Sequence, residues 1–207
     1  MTYLLVAFLA ATFAPLLVAT WRTSLLGLCV QGLLLTAVSI ERGWPTSASG
    51  AVLLADLLLL RSWFVPRYLY ETLRRQEAAR RRDVLPASLL TWMIAGTLIF
   101  VAFEFAARVC PRGGDEATHV AVATAALLLS FLLLATEKPT FGLVVGALQL
   151  ENAIALFELS GEHALPLLVQ LGVSGVLLLT VLTFAAFVRH LRAEPTDAGG
   201  PAPGSTP

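Results

Sequence analysis

The sequence is divided into apolar segments, each close to the roughly 20 residues that a helix needs to cross a lipid bilayer. Hydropathy marks seven such segments, at residues 3–20, 24–40, 48–68, 86–107, 117–135, 141–159 and 166–188. Lipid offers no hydrogen-bond partners to the backbone, so segments of this kind are expected to be helices. Only 14% of the residues are charged, compared with about 25% in soluble domains. The sequence therefore predicts an all-α, multi-pass membrane protein with about seven transmembrane helices.

The two ends of the chain carry different signals. The first basic residue, Arg22, follows the first apolar segment, whereas a secretory signal begins with positive charge. We therefore expect residues 3–20 to be a retained span. Residues 193–207 are rich in proline, glycine and small polar residues that cannot bury a core, which predicts a disordered tail. Residues 1–192 are expected to form a single transmembrane helical domain.

Basic residues divide unequally between the two sides that seven alternating spans would define. One side receives ten of them, six of which lie between Arg67 and Arg82, and the other side receives three. Loops rich in lysine and arginine remain in the cytoplasm. This bias predicts an outside N-terminus and a cytoplasmic C-terminus in the inner (cytoplasmic) membrane.

The charged stretch after the third span has its own helical pattern. Glu71 with Arg75, and Glu77 with Arg81, stand four residues apart in the order that stabilises a helix. A charged cytoplasmic helix is therefore expected over residues 67–83. It is either a positive-inside anchor or a docking surface for a soluble partner or anionic lipid headgroups.

The sixth span contains polar side chains at positions where lipid favours apolar ones. A charged group in mid-span costs about 2.5–3.5 kcal/mol on insertion scales and usually faces protein or water. Glu151 lies close to the middle of the span, and Glu158 follows seven residues later on the same face. Asn152 supplies donors and an acceptor for a neighbouring helix. We expect these three residues to form a proton relay; the alternative for Glu151 is an interhelical hydrogen bond without proton transfer.

The same span begins with two glycines at the spacing typical of closely packed membrane helices. Gly142 and Gly146 stand four residues apart, which lets another helix approach the backbone. The sixth span is therefore expected to be an interior helix.

Other polar residues within or next to the spans are candidates for charge coupling. Asp56 and Arg61 are five residues apart, about 140° around an α-helix, and are not expected to pair directly. Pro66 is expected to kink the helix. Arg61 either has a functional role or extends toward the headgroups. Lys138 marks the cytoplasmic entrance to the sixth span, and Gln170 can hydrogen-bond within the seventh.

Motifs for catalysis on this chain are missing from the sequence. It has no phosphate-binding loop, nucleophile triad or cysteine–histidine metal cluster, and its two cysteines are far apart. The basic run at residues 74–82 has no interleaved aromatic residues, which argues against nucleic acid as a partner. We therefore expect a non-catalytic membrane subunit without an active site or cofactor of its own.

Three segments resemble the hydrogenase-4 component E family, the membrane subunits of formate hydrogenlyase-type nickel–iron hydrogenases, which are similar in part to the small K subunit of respiratory complex I. The segments are "RSWFVP" (61–66), "KPTFGLVVGALQLENAIAL" (138–156) and "LPLLVQLGV" (165–173). The resemblance extends from about Arg61 to Leu191. Its matched positions are Arg61, Pro66, Lys138, Gly146, Glu151 and Asn152.

The resemblance implies a subunit that contributes to proton translocation beside antiporter-like and other membrane subunits. Nickel–iron and iron–sulfur centres are implied in those partner chains. Gln170 and Val176 stand where the family usually has acidic residues, so two protonatable groups of its path are absent here. Two alternatives remain, a purely structural scaffold subunit of the membrane arm and a free-standing ion carrier; the chain shows no internal repeat of the kind many carriers have.

Overall fold

The computed structural model describes residues 1–17, 20–43, 48–74, 89–111, 113–136, 140–160 and 166–193. Throughout these residues the regular secondary structure is helical, which confirms the all-α prediction. The helices are α1 (Thr2–Leu17), α2 (Trp21–Arg42), α3 (Ala48–Ala55), a π-helical segment (Asp56–Phe64), α4 (Val65–Arg74), α5 (Leu89–Val109), α6 (Asp115–Thr136), α7 (Thr140–Ser160) and α8 (Leu167–Ala193). The predicted tail beyond residue 193 and the predicted charged helix beyond residue 74 lie outside the described residues.

Six of the helices are long and apolar enough to cross a membrane. They correspond to the second through seventh predicted spans, and α3, the π-helical segment and α4 together form one of them. Helix α1 is apolar but has only 16 residues, or about 24 Å at 1.5 Å per residue. A multi-pass membrane protein is thus confirmed, whereas the seventh span and the orientation stay predictions.

The helices alternate in direction, which defines two ends of the bundle. Helices α2 and α7 both end at what we call the upper end, where Arg42 Nη2 donates a hydrogen bond to the Ser160 carbonyl (3.5 Å). They begin at the lower end. The rings of Phe13 in α1 and Trp92 in α5 stack at a centroid distance of 6.0 Å, where α1 approaches its end and α5 begins.

The core consists of two apolar clusters at different heights. The upper cluster includes Leu5, Phe8, Leu35, Val38, Leu57, Val122, Leu156 and Leu159. The lower cluster includes Leu16, Leu25, Leu28, Leu69, Leu129, Val145, Leu148, Leu177 and Phe184. On α1, α2 and α7 the buried polar residues Thr12, Gln31, Gln149 and Asn152 lie at the height between these two sets, where Leu9 packs against both clusters.

Two glycines allow helices to approach at backbone distance. A Cβ atom on Gly146 would lie 2.9 Å from Leu134 Cγ, which brings α7 against α6. A Cβ atom on Gly32 of α2 would lie 2.8 Å from the backbone nitrogen of Ser62, in the π-helical segment. Gly142, the other glycine of the predicted packing pair, is buried. The π-helical segment therefore touches α2 where α2 has no side chain.

The contact at Gly32 predicts a selective loss of stability. Gly32→Ala is expected to destabilise the protein by about 1–3 kcal/mol, because backbone atoms must move to admit the new methyl group. Gly96→Ala is a matched control, since nothing lies within 4 Å of its added Cβ, and a helical Gly-to-Ala change by itself is favourable. Reversible unfolding in mixed micelles measures both. Equal stability of the two variants would show that α2 and the π-helical segment are not in close contact.

Candidate functional site: a buried polar belt beside Glu151

The third predicted span contains a buried ion pair. Arg61 Nε donates to Asp56 Oδ2 at 2.9 Å, and only 3% of Arg61 is exposed. The prediction that these residues do not pair was wrong, because it assumed α-helical geometry. In a π-helix the backbone bonds join residues five apart, so such residues lie on the same side. The same spacing recurs where Ser62 Oγ donates to the Leu57 carbonyl at 2.7 Å. This π-helical segment ends at Phe64, two residues before Pro66, and the kink predicted at Pro66 stays a prediction.

The ion pair continues into hydrogen bonds that cross three further helices. Arg61 Nη1 donates to Asn152 Oδ1 at 3.0 Å, and Asn152 Nδ2 donates to Gln31 Oε1 at 3.0 Å. Gln31 Nε2 in turn donates to Thr12 Oγ1 at 3.1 Å, and Thr12 Oγ1 donates to the Phe8 carbonyl at 2.9 Å. Each donor in this series therefore has an acceptor, and the series joins the π-helical segment, α7, α2 and α1.

We call this network the polar belt; its members are Thr12, Gln31, Asp56, Arg61, Gln149 and Asn152. All six are buried. Gln149 Nε2 donates to the Thr12 carbonyl at 3.3 Å, which adds a second link between α7 and α1. Buried polar groups are stable when they are hydrogen-bonded and costly when they are not. One acceptor of the belt, Asp56 Oδ1, is buried and has no partner among the described residues.

Glu151 lies beside the belt, one residue before Asn152 and near the middle of α7. Its side chain is half-buried, and Oε1 accepts a 3.4 Å hydrogen bond from Thr180 Oγ1 of α8. Its other oxygen, Oε2, is buried and has no partner among the described residues. Arg61 and Asp56 lie close enough to interact electrostatically with this carboxyl group. Glu151 is therefore sheltered by protein and keeps one free acceptor.

Glu158 is on the same face of α7, nearer the upper end, and is also half-buried. It makes no hydrogen bond to another described residue, although Arg61 and Asp56 also interact with it electrostatically. At seven residues from Glu151 it lies about 10 Å away along the helix axis. The two carboxyl groups of the predicted relay therefore share one environment without touching.

The remaining predicted site residues are more scattered. Gln170 is buried in the first turns of α8. Val176, which stands where the resemblance leads us to expect an acid, is 57% exposed. Pro66 is buried in α4. Lys138 lies outside the described residues. Of the residues predicted for charge coupling, the structure thus brings Asp56 and Arg61 together with Asn152 of the predicted relay.

Sequence reasoning missed three members of the polar belt and one buried histidine. Thr12 and Gln31 have apolar or small neighbours in their segments, and Gln149 stands two residues before Glu151; a polar side chain inside an apolar segment is the signal that identifies all three. His119 of α6 is fully buried, and its Nε2 donates to the Leu156 carbonyl of α7 at 2.9 Å. Its Nδ1 is buried without a partner among the described residues. An amide or histidine inside a span predicts a partner on another helix, although not which one.

The fold and the site together define a multi-pass helical membrane protein with a buried ion pair at mid-height. No protein-family model matches the sequence, and neither a curated protein nor a solved structure shows significant similarity to it.

Proposed function

We propose that this chain is an integral membrane subunit of a hydrogenase- or complex I-like assembly, in which Glu151 relays or senses protons. The observation that supports this proposal is the state of Glu151, a carboxyl group at mid-height with one buried oxygen unpartnered. A relay needs a free acceptor site, and Glu151 Oε2, like Asp56 Oδ1, is a buried oxygen without a partner among the described residues. Intramembrane ionisable residues mark proton pathways for the same reason.

The polar belt gives Glu151 a fixed electrostatic setting. Asn152 holds the Arg61 guanidinium from one side while Asp56 holds it from the other. Arg61 is thereby held in place without forming an ion pair with Glu151. A proton that arrives at Glu151 then shifts the charge balance around Arg61 and Asp56, and this shift can be transmitted to a neighbouring subunit.

The proposal includes the topology predicted from the charges. Seven spans place the N-terminus outside, the upper end of the bundle at the outer face and the lower end at the cytoplasm of the inner membrane. Glu158 then lies between Glu151 and the outer face. Hydrogen or quinone chemistry, with its nickel–iron and iron–sulfur centres, belongs to the partner chains, among which antiporter-like subunits are expected.

A second candidate function, a structural scaffold of the membrane arm, is favoured by the belt itself. Its hydrogen bonds join α1, α2, the π-helical segment and α7 within one chain. Such a network stabilises a unique packing whether or not protons move through the protein. On this alternative, Glu151 serves only to bind Thr180.

Purification in mild detergent tests the assembly. The tagged chain, extracted from its native membrane, is expected to co-purify with antiporter-like subunits and with chains that contain nickel and iron, identified by mass spectrometry and metal analysis. A stable, isolated chain that transports an ion after reconstitution into vesicles would contradict the proposal and identify a free-standing carrier.

A further inference from the structure

The outward side of α7, together with α8, forms a surface that we call the carboxylate face. It is formed by Ala147, Glu151, Ile154 and Glu158 of α7 and by Val176 and Thr180 of α8. The α7 residues stand four, three and four positions apart, so they lie along one side of the helix. Ile154 is 40% exposed and Val176 is 57% exposed. Two carboxyl groups thus border a surface that the described residues leave open.

Contact with lipid is favourable for the apolar side chains on this face and unfavourable for its two carboxyl groups. Carboxyl groups within spans usually face protein or water, and they pair with one another or with cations. Within the described helices, Arg61 is the cation whose charge acts on Glu151 and Glu158, and it forms an ion pair with neither of them. Arg61 already donates to Asp56 and to the side-chain oxygen of Asn152. Among the described residues, Glu151 and Glu158 therefore have no cation paired with them.

We propose that the carboxylate face docks a transmembrane helix of a different polypeptide, which places a lysine or arginine side chain at the level of Glu151 and Glu158. Because Glu151 and Glu158 have no paired cation among the described residues, the partner helix is expected to supply one. This inference rests on the proposed function only in treating the chain as a subunit, and it does not require that Glu151 moves protons.

Charge favours a foreign helix over a second copy of this chain. A twofold contact through the same face would bring carboxyl groups against carboxyl groups, which is unfavourable in a low dielectric. The surface also admits a close approach. Ala147 is small, and a Cβ atom added to Gly172 or Gly175, on the adjoining exposed side of α8, would meet nothing within 4 Å. Small residues at such positions are typical of helix contacts in membranes.

Site-specific photocrosslinking in the native membrane tests the docking. A benzophenone amino acid is placed at Ile154 of the full chain, and at Phe100 of α5 as a control, since Phe100 is 65% exposed on another helix. We expect Ile154 to crosslink to a transmembrane segment of another polypeptide, within about one helical turn of a lysine or arginine. The Glu151→Gln, Glu158→Gln double variant is expected to reduce that adduct at least severalfold.

Other outcomes would overturn the docking. Adducts with lipid alone, or with a second copy of this chain, would contradict a foreign helix at this face. So would capture of the same partner from Phe100, or a crosslinked segment without a basic residue. An adduct that the double variant leaves unchanged would show that the two carboxyl groups do not hold the partner. A crosslinked partner that belongs to no redox or ion-translocating assembly would leave the docking standing and contradict the proposed function. If Ile154 crosslinks only to lipid while the chain still co-purifies with a proton-coupled complex, the docking would be contradicted and the proposed function would stand.

Discussion

Replacement of Arg61 with alanine is expected to destabilise the protein by about 3–5 kcal/mol, the usual cost of removing one partner of a buried ion pair. The variant leaves Asp56 without a counter-ion, and both carboxylate oxygens then lack a donor. It also removes the donor to Asn152 Oδ1. Reversible unfolding in mixed micelles, followed by circular dichroism, measures the loss.

Two controls separate the ion pair from the loss of positive charge as such. Arg67→Ala removes an exposed arginine that pairs with Glu71 at 3.3 Å, and surface pairs of this kind contribute no more than about 1 kcal/mol. Arg61→Met combined with Asp56→Leu replaces both charges by apolar groups and is expected to recover most of the lost stability. An Arg61→Ala protein as stable as Arg67→Ala would show that Arg61 is not buried against Asp56.

Glu151→Gln is expected to lower the proton-coupled activity of the assembled complex by about 100-fold or more, the scale on which a positioned proton-transfer group contributes. Glutamine has nearly the same size, and its carbonyl oxygen can still accept from Thr180 Oγ1, so folding and assembly are expected to persist. Proton uptake by membrane vesicles, with the amount of assembled complex measured in parallel, gives the activity per complex.

The controls for Glu151 distinguish a proton relay from a scaffold. Glu104→Gln is a matched change, because Glu104 lies in α5 on an exposed side, and its activity is expected to be normal. Normal activity of Glu151→Gln would remove Glu151 from the mechanism. Assembly that is lost in Glu151→Ala but retained and active in Glu151→Gln would favour the structural role.

The helices were predictable because hydropathy and length act locally. A bilayer-length apolar segment has no other way to satisfy its backbone, and six predicted spans correspond to long helices. The polar character of α7 at Glu151 and Asn152 was equally visible. The hydrogen-bond partners of these residues could not be predicted. Asn152 binds Gln31, which is 121 residues away in the sequence, and the sequence around Asn152 does not indicate which buried amide it will bind.

The π-helical segment was the largest local departure from prediction. Its pairing of Asp56 with Arg61 depends on backbone geometry that 3.6-residue periodicity excludes. Gly32 of α2 was also overlooked, although a Cβ there would strike Ser62. The π-helical segment packs against Gly32 of α2 and contains the buried ion pair. Its geometry therefore depends on contacts between helices, which cannot be predicted from the sequence of the segment alone.

The height of the polar belt between two apolar clusters has a consequence for how the helices can move. If α2 moved along its axis by one turn, about 5.4 Å, Gln31 would lose its hydrogen bonds to Asn152 and Thr12. Its amide would then be buried without partners in one of the apolar clusters. A matching slip of α7 would do the same to Asn152. Lengthwise sliding is thus disfavoured in either direction, whereas small rotations and tilts about mid-height keep the amides in reach. Any working motion of this bundle is expected to pivot around that level.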